Sequence, residues 1–349
     1  KKAVSTKMPA RAVAGANKAV SQRSRSSARA WSAHSLSAVF ISLSCLLSVC
    51  MIGSYNHMTM TDPTPILPSA DGEPSDGGES APWTQMVAWR LLPEPARCDL
   101  AILLNFVAAV RAVADHPALT PERKESALAA LAAPFSPDTV TTADPAAPAV
   151  ALAGLLAARG IDTRPAWQIL QAAGQDLRKS RYRDWSDLLT WCRFGATPVA
   201  VLGFGLMGAR VDALRKAENI GLAWQLIEIV HRVQSHYRWL GRVYLPERWF
   251  TDARADMADL SFTRISPSLA IVLGRALDQA GTLLDEVHGS GVLMPDFRAR
   301  AALAGLLIET RARVRILRRA DGFAPNFMPG AFARRWIALR ALIMATRRR

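Results

Sequence analysis

From Trp83 onward, apolar residues recur at the three- and four-residue spacing of an α-helix, with polar residues between them. Helix-start signals accompany the pattern, as where Thr120 precedes Pro121 at a first helical position. We find no segment with the two-residue alternation of a strand. The pattern predicts one all-α domain, with helices over residues 100–115, 121–133, 149–159, 165–178, 185–193, 198–207, 211–237, 267–287, 295–320 and 331–344.

Composition agrees with this helical prediction. Half of the residues are hydrophobic, which is ample for a sizeable core, and Ala and Leu are the dominant types. The four cysteines have neither the spacing of metal ligands nor that of a disulfide framework. We therefore expect a reducing, cytoplasmic compartment.

The amino-terminal segment has a different character. Residues 1–57 are basic and contain the uncharged stretch 36–53, which fits either a membrane anchor or signal peptide, or an upstream extension outside the mature protein. Residues 58–82 are rich in Pro, Gly, Ser, Asp and Glu, a composition that predicts a disordered leader. The helical domain is expected over residues 83–349.

The net charge of +14 is concentrated near the two ends of the chain. Such a balance suits an anionic partner: nucleic acid, a phospholipid surface or a diphosphate substrate. The basic runs lack interleaved aromatic residues and any nucleic-acid-binding motif, so we do not expect a nucleic-acid partner.

Three stretches in the middle of the chain carry a family pattern. Residues 105–128 end in a turn of the form DHPALTPERK, residues 175–208 contain QDLRKSRYRDWSDLLTWC, and residues 221–246 end in GRVYLP. In this order and spacing they resemble the squalene/phytoene synthase family, and within it the hydroxysqualene synthase branch. The resemblance implies a helical bundle around an apolar cavity that accepts a prenyl diphosphate.

The resemblance also implies a magnesium cofactor, held by aspartates on two facing helices while the diphosphate leaves. At the first motif the family pattern is Asp-Asp-x-x-Asp, and this chain has Arg111, Ala112 and Asp115. At the second the pattern is Asp-x-x-x-Asp, and this chain has Arg232 and His236. Asp115 is the one carboxylate kept, and it is the candidate metal ligand.

Other polar positions of the family site are kept. By resemblance the candidate catalytic residues are Asp115, Tyr237, Arg242 and Tyr244. The candidates for diphosphate binding are Asp176, Arg181, Tyr182, Arg111, Arg232 and His236. For several of them a structural role is an equal alternative: Arg242 could close a helix C-terminus, and Arg181 could be solvated or salt-bridged.

These observations leave two functional readings. One is an enzyme acting on a prenyl diphosphate such as presqualene diphosphate, with Arg111 and Arg232 standing in as fixed cations for part of the magnesium charge. The other is a pseudoenzyme that binds a squalene-like lipid, scaffolds or regulates a paralogous synthase, or assembles a membrane complex. Under either, the basic carboxyl-terminal helices suit peripheral contact with the inner face of a membrane.

Overall fold

A computed structural model describes residues 86–135, 146–287, 294–323 and 329–346. The extension predicted over 1–57 and the leader predicted over 58–82 lie outside these residues. The described helices are α1 (Val87–Leu91), α2 (Glu94–Ala114), α3 (Pro121–Ala132), α4 (Ala147–Arg159), α5 (Arg164–Asp176), α6 (Trp185–Phe194), α7 (Ala196–Leu206), α8 (Val211–Leu240), α9 (Glu247–Ala253), α10 (Pro267–Glu286), α11 (Phe297–Arg319) and α12 (Ala331–Thr346).

The all-α prediction is confirmed, and all ten predicted helices are present with small shifts at their ends. Thr120 caps α3 as predicted, because its side chain accepts a hydrogen bond from the Arg123 backbone N–H. Helix α2 begins at Glu94, before the apolar run at residue 100 that the sequence pattern detects. Helices α1 and α9 were missed because five and seven residues are too short to show a helical period.

The described residues contain no β-strand, only two isolated bridges. One of them matters for the site, because it joins Arg181, which follows α5, to Val243, which follows α8. The Val243 N–H donates to the Ser180 carbonyl at 3.0 Å. This pairing holds the segments that leave α5 and α8 side by side.

Helix α8 is the central element of the larger core and packs on α6, α7, α10 and α11. Its close approach to α7 requires Gly221, since a Cβ there would lie 2.7 Å from the Ala196 carbonyl oxygen and 2.9 Å from the Ala200 Cβ. The helix ends at Gly241, whose φ of 61° is the left-handed conformation of a helix C-cap. A second core cluster lies among α2, α3, α4 and α5.

One described stretch, Trp185–Leu206, has the length and apolar composition of a membrane span. Gly195 divides it into α6 and α7, and both helices pack against α8 within the bundle. Trp191 and Leu202, one on each helix, are almost completely buried there. The two helices therefore contribute to the core of the bundle, with 39% of the apolar stretch buried there.

Candidate functional site

Five of the candidate residues, from three parts of the chain, meet at one buried point. Arg111 and Asp115 lie one turn apart at the end of α2, and Asp176 is the last residue of α5. Arg242 and Tyr244 follow the end of α8 at Gly241. The bridge between the segments after α5 and α8 brings these groups together.

Two arginines donate hydrogen bonds to the two carboxylates at this point. Arg111 donates to Asp176 Oδ2 at 2.7 Å and to Asp115 Oδ2 at 2.8 Å. Arg242 donates to Asp115 Oδ1 at 2.6 Å, and the Tyr244 hydroxyl donates to Asp176 Oδ2 at 3.1 Å. We call these five residues the arginine–aspartate network. With two guanidinium groups and two carboxylates, it has no net formal charge.

Burial and the neighbouring arginines shift the pKa values of the two carboxyl groups in opposite directions. For Asp115, burial raises the pKa, but Arg111 and Arg242 together more than offset it, so the pKa lies below its ordinary value. For Asp176, whose side chain is fully buried, burial dominates and the pKa is raised. The positive charges of Arg111 and Arg242 compensate the buried negative charges of the two carboxylates.

His236 lies at the edge of this network as a neutral side chain. Its ring meets the Tyr244 ring edge-on, with 5.2 Å between centroids. Burial, reinforced by the nearby charge of Arg232, lowers the pKa of His236 to about 3. The imidazole is therefore uncharged at neutral pH.

The donor set does not fit the magnesium cluster that the family pattern implies. Both Asp115 oxygens accept from guanidinium groups, and cations replace expected carboxylates at positions 111 and 232. Among the described residues, no three His, Cys, Asp or Glu side chains are grouped so that they could hold a metal ion. Magnesium requires several hard oxygen ligands, and both oxygens of Asp115, the one motif carboxylate kept, are already bound to arginines.

The second-motif residue Arg232 belongs to a different cluster. It lies 3.9 Å from Glu228, one turn earlier on α8, and Glu228 lies 3.5 Å from Arg313 of α11. The Arg313 guanidinium also stacks over the Trp224 ring at 4.7 Å. This face of α8 is therefore tied to α11 by ion pairs and a cation–π contact.

Aromatic rings fill the space beside the network. Tyr244 packs against Trp191 at 4.4 Å and against Tyr182 at 5.6 Å between ring centroids. Several buried polar atoms of these rings and their neighbours have no hydrogen-bond partner: Asp176 Oδ1, Tyr182 OH, Trp191 Nε1 and His236 Nδ1. The same holds for Arg232 NH2 in the cluster with Glu228. Such atoms are rare in folded proteins and are commonly satisfied by water or a bound ligand.

A cavity of about 250 Å³ opens beside the network. Four cationic side chains and one carboxylate contribute to its lining: Lys124, Arg178, Lys179, Arg242 and Asp176. Arg178 pairs with Glu125 at 3.0 Å and Lys179 pairs with Asp187, while Lys124 donates to the Ala114 carbonyl at 3.1 Å. Burial and the charge of Arg242 lower the pKa of Lys124, as expected where positive charges gather.

The candidate residues from the sequence divide into three groups. Arg111, Asp115, Asp176, Arg242 and Tyr244 form the network, with His236 and Tyr182 packed against it. Arg232 lies in the cluster with Glu228. The other two candidates have different contacts: Arg181 donates to the Ser180 and Gly241 carbonyls, and Tyr237 packs against the larger core.

Sequence reasoning missed the cavity lysines and the acidic partner of Arg232. Lys124 and Lys179 lie within the first two motif stretches, so their place in the motifs was available as a signal. Glu228 stands one helical turn before Arg232, which is the spacing of a helix ion pair. Arg313 had no such signal, because only the packing of α11 brings it near Glu228 of α8.

Comparison with known proteins agrees with this architecture. The squalene/phytoene synthase family model matches residues 81–335. The hydroxysqualene synthase of Rhodopseudomonas palustris is 27% identical over 236 residues, which cover 68% of this chain and 79% of that protein. The hydroxysqualene synthase of Sinorhizobium fredii is 26% identical over 258 residues, which cover 73% of this chain and 86% of that protein.

Solved structures show the same fold. The squalene synthase HpnC of Alicyclobacillus acidocaldarius superposes with a TM-score of 0.56 at 24% identity, covering 67% of this chain and 87% of that one. A dehydrosqualene synthase solved with a ligand gives a TM-score of 0.62 at 18% identity, covering 74% and 90%. With its helices, its motif positions and this match over most of its length, the chain belongs to the squalene/phytoene synthase family.

Proposed function

We propose that this protein binds a prenyl diphosphate in isoprenoid metabolism without the magnesium-dependent turnover that the family pattern implies. The observation that carries the proposal is the position of Arg111. It stands where the pattern has an aspartate, and its guanidinium bonds to both Asp115 and Asp176. The side chain that would have been a metal ligand is instead a built-in cation.

Metal binding would have to disrupt this arrangement. A magnesium ion at Asp115 would compete with Arg111 and Arg242 for the same two oxygens, and both guanidinium groups would repel it at short range. Displacing either arginine would leave a buried charge without its partner, which is strongly unfavourable. We therefore infer that the metal-assisted loss of diphosphate is absent in this protein.

The cavity supports binding of an anionic ligand. Lys124, Lys179 and Arg178 supply positive charge at its wall, and ammonium and guanidinium groups are good donors to phosphate oxygens. Relatives that match most of the chain are named hydroxysqualene synthases. Presqualene diphosphate and related prenyl diphosphates are accordingly the ligand class that we propose.

Binding is tested by calorimetric titration of the purified protein with farnesyl diphosphate in the absence of magnesium, with farnesol as the uncharged comparison. We expect saturable binding of the diphosphate. Lys124→Ala should weaken it about tenfold, the effect of one lost charge-assisted hydrogen bond. Arg210→Ala is the matched control, because Arg210 is an exposed residue that pairs with Asp212 and does not line the cavity. Equal affinity for farnesol would refute the proposed role of the cations.

Turnover is tested separately, with farnesyl diphosphate or presqualene diphosphate, with and without magnesium, followed by mass spectrometry of extracted lipids. We expect no squalene or hydroxysqualene under either condition. Magnesium-dependent product would refute the proposal and show that Asp115 can still hold metal.

One observation favours a second candidate, catalysis with arginines in place of the metal. Arg232 has a buried NH2 group without a hydrogen-bond partner, so it retains a donor for a leaving diphosphate. Product formed equally well without magnesium would support this candidate. A folded protein that neither binds nor converts a diphosphate would instead favour a scaffold for a paralogous synthase.

A further inference from the structure

The carboxyl-terminal helix α12 presents an apolar stripe to solvent. One of its faces, with Ile337, Ala341 and Ala345, is buried where α12 packs on α11 and α1. The stripe consists of Phe332, Trp336, Leu339 and Ile343, which are 85%, 50%, 58% and 48% exposed. Their spacing of four, three and four residues places them along one side of the helix.

Positive charge accompanies this stripe, and negative charge does not. After Asp321 the sequence has no Asp or Glu, but it has Arg334, Arg335, Arg340, Arg347, Arg348 and Arg349. The Arg340 guanidinium lies over the Trp336 ring, 5.1 Å from its centroid. We call the apolar stripe with the exposed Arg335 and Arg340 beside it the α12 face.

We propose that the α12 face docks the protein on an anionic phospholipid surface. An amphipathic helix with aromatic and aliphatic residues on one side and arginines beside them is suited to the boundary between headgroups and acyl chains. Trp336 and Phe332 would lie at the headgroup boundary, and the arginines would contact lipid phosphates. Residues 336–346 of α12 lie beyond the family match at 81–335.

Charge argues against the other possible occupants of the face. In a two-fold dimer through α12, the arginines of both copies would meet with no carboxylate on either helix. The chain's own first 61 residues also contain cations and no Asp or Glu. The acidic segment 62–82 has only two large apolar side chains, Ile66 and Leu67, to cover the stripe.

The test is cosedimentation of the full-length protein with vesicles of phosphatidylcholine, with or without about a third phosphatidylglycerol. We expect binding to the anionic vesicles, weakened when salt is raised to about 0.5 M. The double variant Phe332→Ser/Trp336→Ser should reduce the partition coefficient about tenfold. Arg335→Gln/Arg340→Gln should lower binding to anionic vesicles by a similar factor.

The matched control is Phe262→Ser/Ile271→Ser, which removes two other exposed apolar side chains, neither of them on α12. This variant should bind as the wild type does. Binding unchanged by the α12 substitutions would overturn the proposal and assign lipid contact to another segment. Absence of vesicle binding, together with a concentration-dependent dimer that Phe332→Ser/Trp336→Ser abolishes, would overturn it in favour of a second copy. The vesicles contain no prenyl diphosphate, so these outcomes are independent of the proposed ligand.

Discussion

Replacing Arg111 by aspartate restores the carboxylate of the family pattern and removes the built-in cation. In the wild type, the Arg111 guanidinium bonds to Asp176 at 2.7 Å and to Asp115 at 2.8 Å. In Arg111→Asp, three carboxylates would lie close together, and Arg242 would be the cation nearest to them. Without metal, the variant should therefore be much less stable than the wild type.

The magnitude follows from the burial of the network. Removing one partner of a buried ion pair costs about 3–5 kcal/mol. The Arg111 side chain is 22% exposed, while Asp176 is fully buried, so we expect the lower end, about 3 kcal/mol. Arg111→Met, which deletes the charge and keeps much of the side-chain volume, should show this loss alone.

Magnesium should distinguish the two variants. Three carboxylates provide the hard oxygen ligands that the wild type lacks, so the ion should stabilise Arg111→Asp by binding only its folded state. At a concentration one hundred times the dissociation constant, this linkage is worth about 2.7 kcal/mol. The wild type should show no comparable change.

The assay is urea denaturation followed by circular dichroism, with and without millimolar magnesium. Arg275→Asp is the matched control, because Arg275 pairs with Asp252 at 2.9 Å on the surface and its replacement also places two carboxylates together. The control should lose little stability and respond little to magnesium. Equal stabilisation of wild type and Arg111→Asp by magnesium would refute the view that the guanidinium excludes metal.

Other outcomes follow from packing and protonation. Gly221→Ala should destabilise the fold by about 1–3 kcal/mol, because the new Cβ would lie 2.7 Å from the Ala196 carbonyl oxygen. Gly274→Ala, with nothing within 4 Å, should instead stabilise α10 by about 0.5–1 kcal/mol, and equal effects in urea denaturation would contradict this. Because the folded pKa of His236, about 3, lies below the unfolded value of about 6.5, stability should fall as the pH decreases through 6.5. Between pH 7.5 and 5 the wild type should lose about 2 kcal/mol more than His236→Phe, and identical losses would exclude His236 as the cause.

The helical architecture was predictable from the sequence because its signals are local. The predicted helix at 267–287 corresponds to α10 at Pro267–Glu286, and the N-cap at Thr120 is present. Hydrophobic period, proline at the first turn and capping residues all act within a few positions along the chain. Membership in the family followed from motif order, which is also a property of the sequence alone.

The replaced carboxylates were equally visible in the sequence, since Arg111, Arg232 and His236 can be read at the motif positions. The sequence did not show which side chains these replacement residues contact. Arg232 and Arg111 looked like equivalent stand-ins for magnesium, but Arg232 lies beside Glu228 while Arg111 binds Asp115 and Asp176. The difference arises from the side chains that neighbouring helices place beside each arginine.

Tertiary structure decided the chemistry of the site. Asp115 and Asp176 are 61 positions apart, and Arg242 is a further 66 positions away, so only the packing of α2 and α5 with the segment after α8 makes them neighbours. That packing determines which charges are neutralised and which cations line the cavity. It also leaves the apolar stripe of α12 uncovered. Periodicity identifies an amphipathic helix, but which of its faces is buried depends on the helices that pack against it.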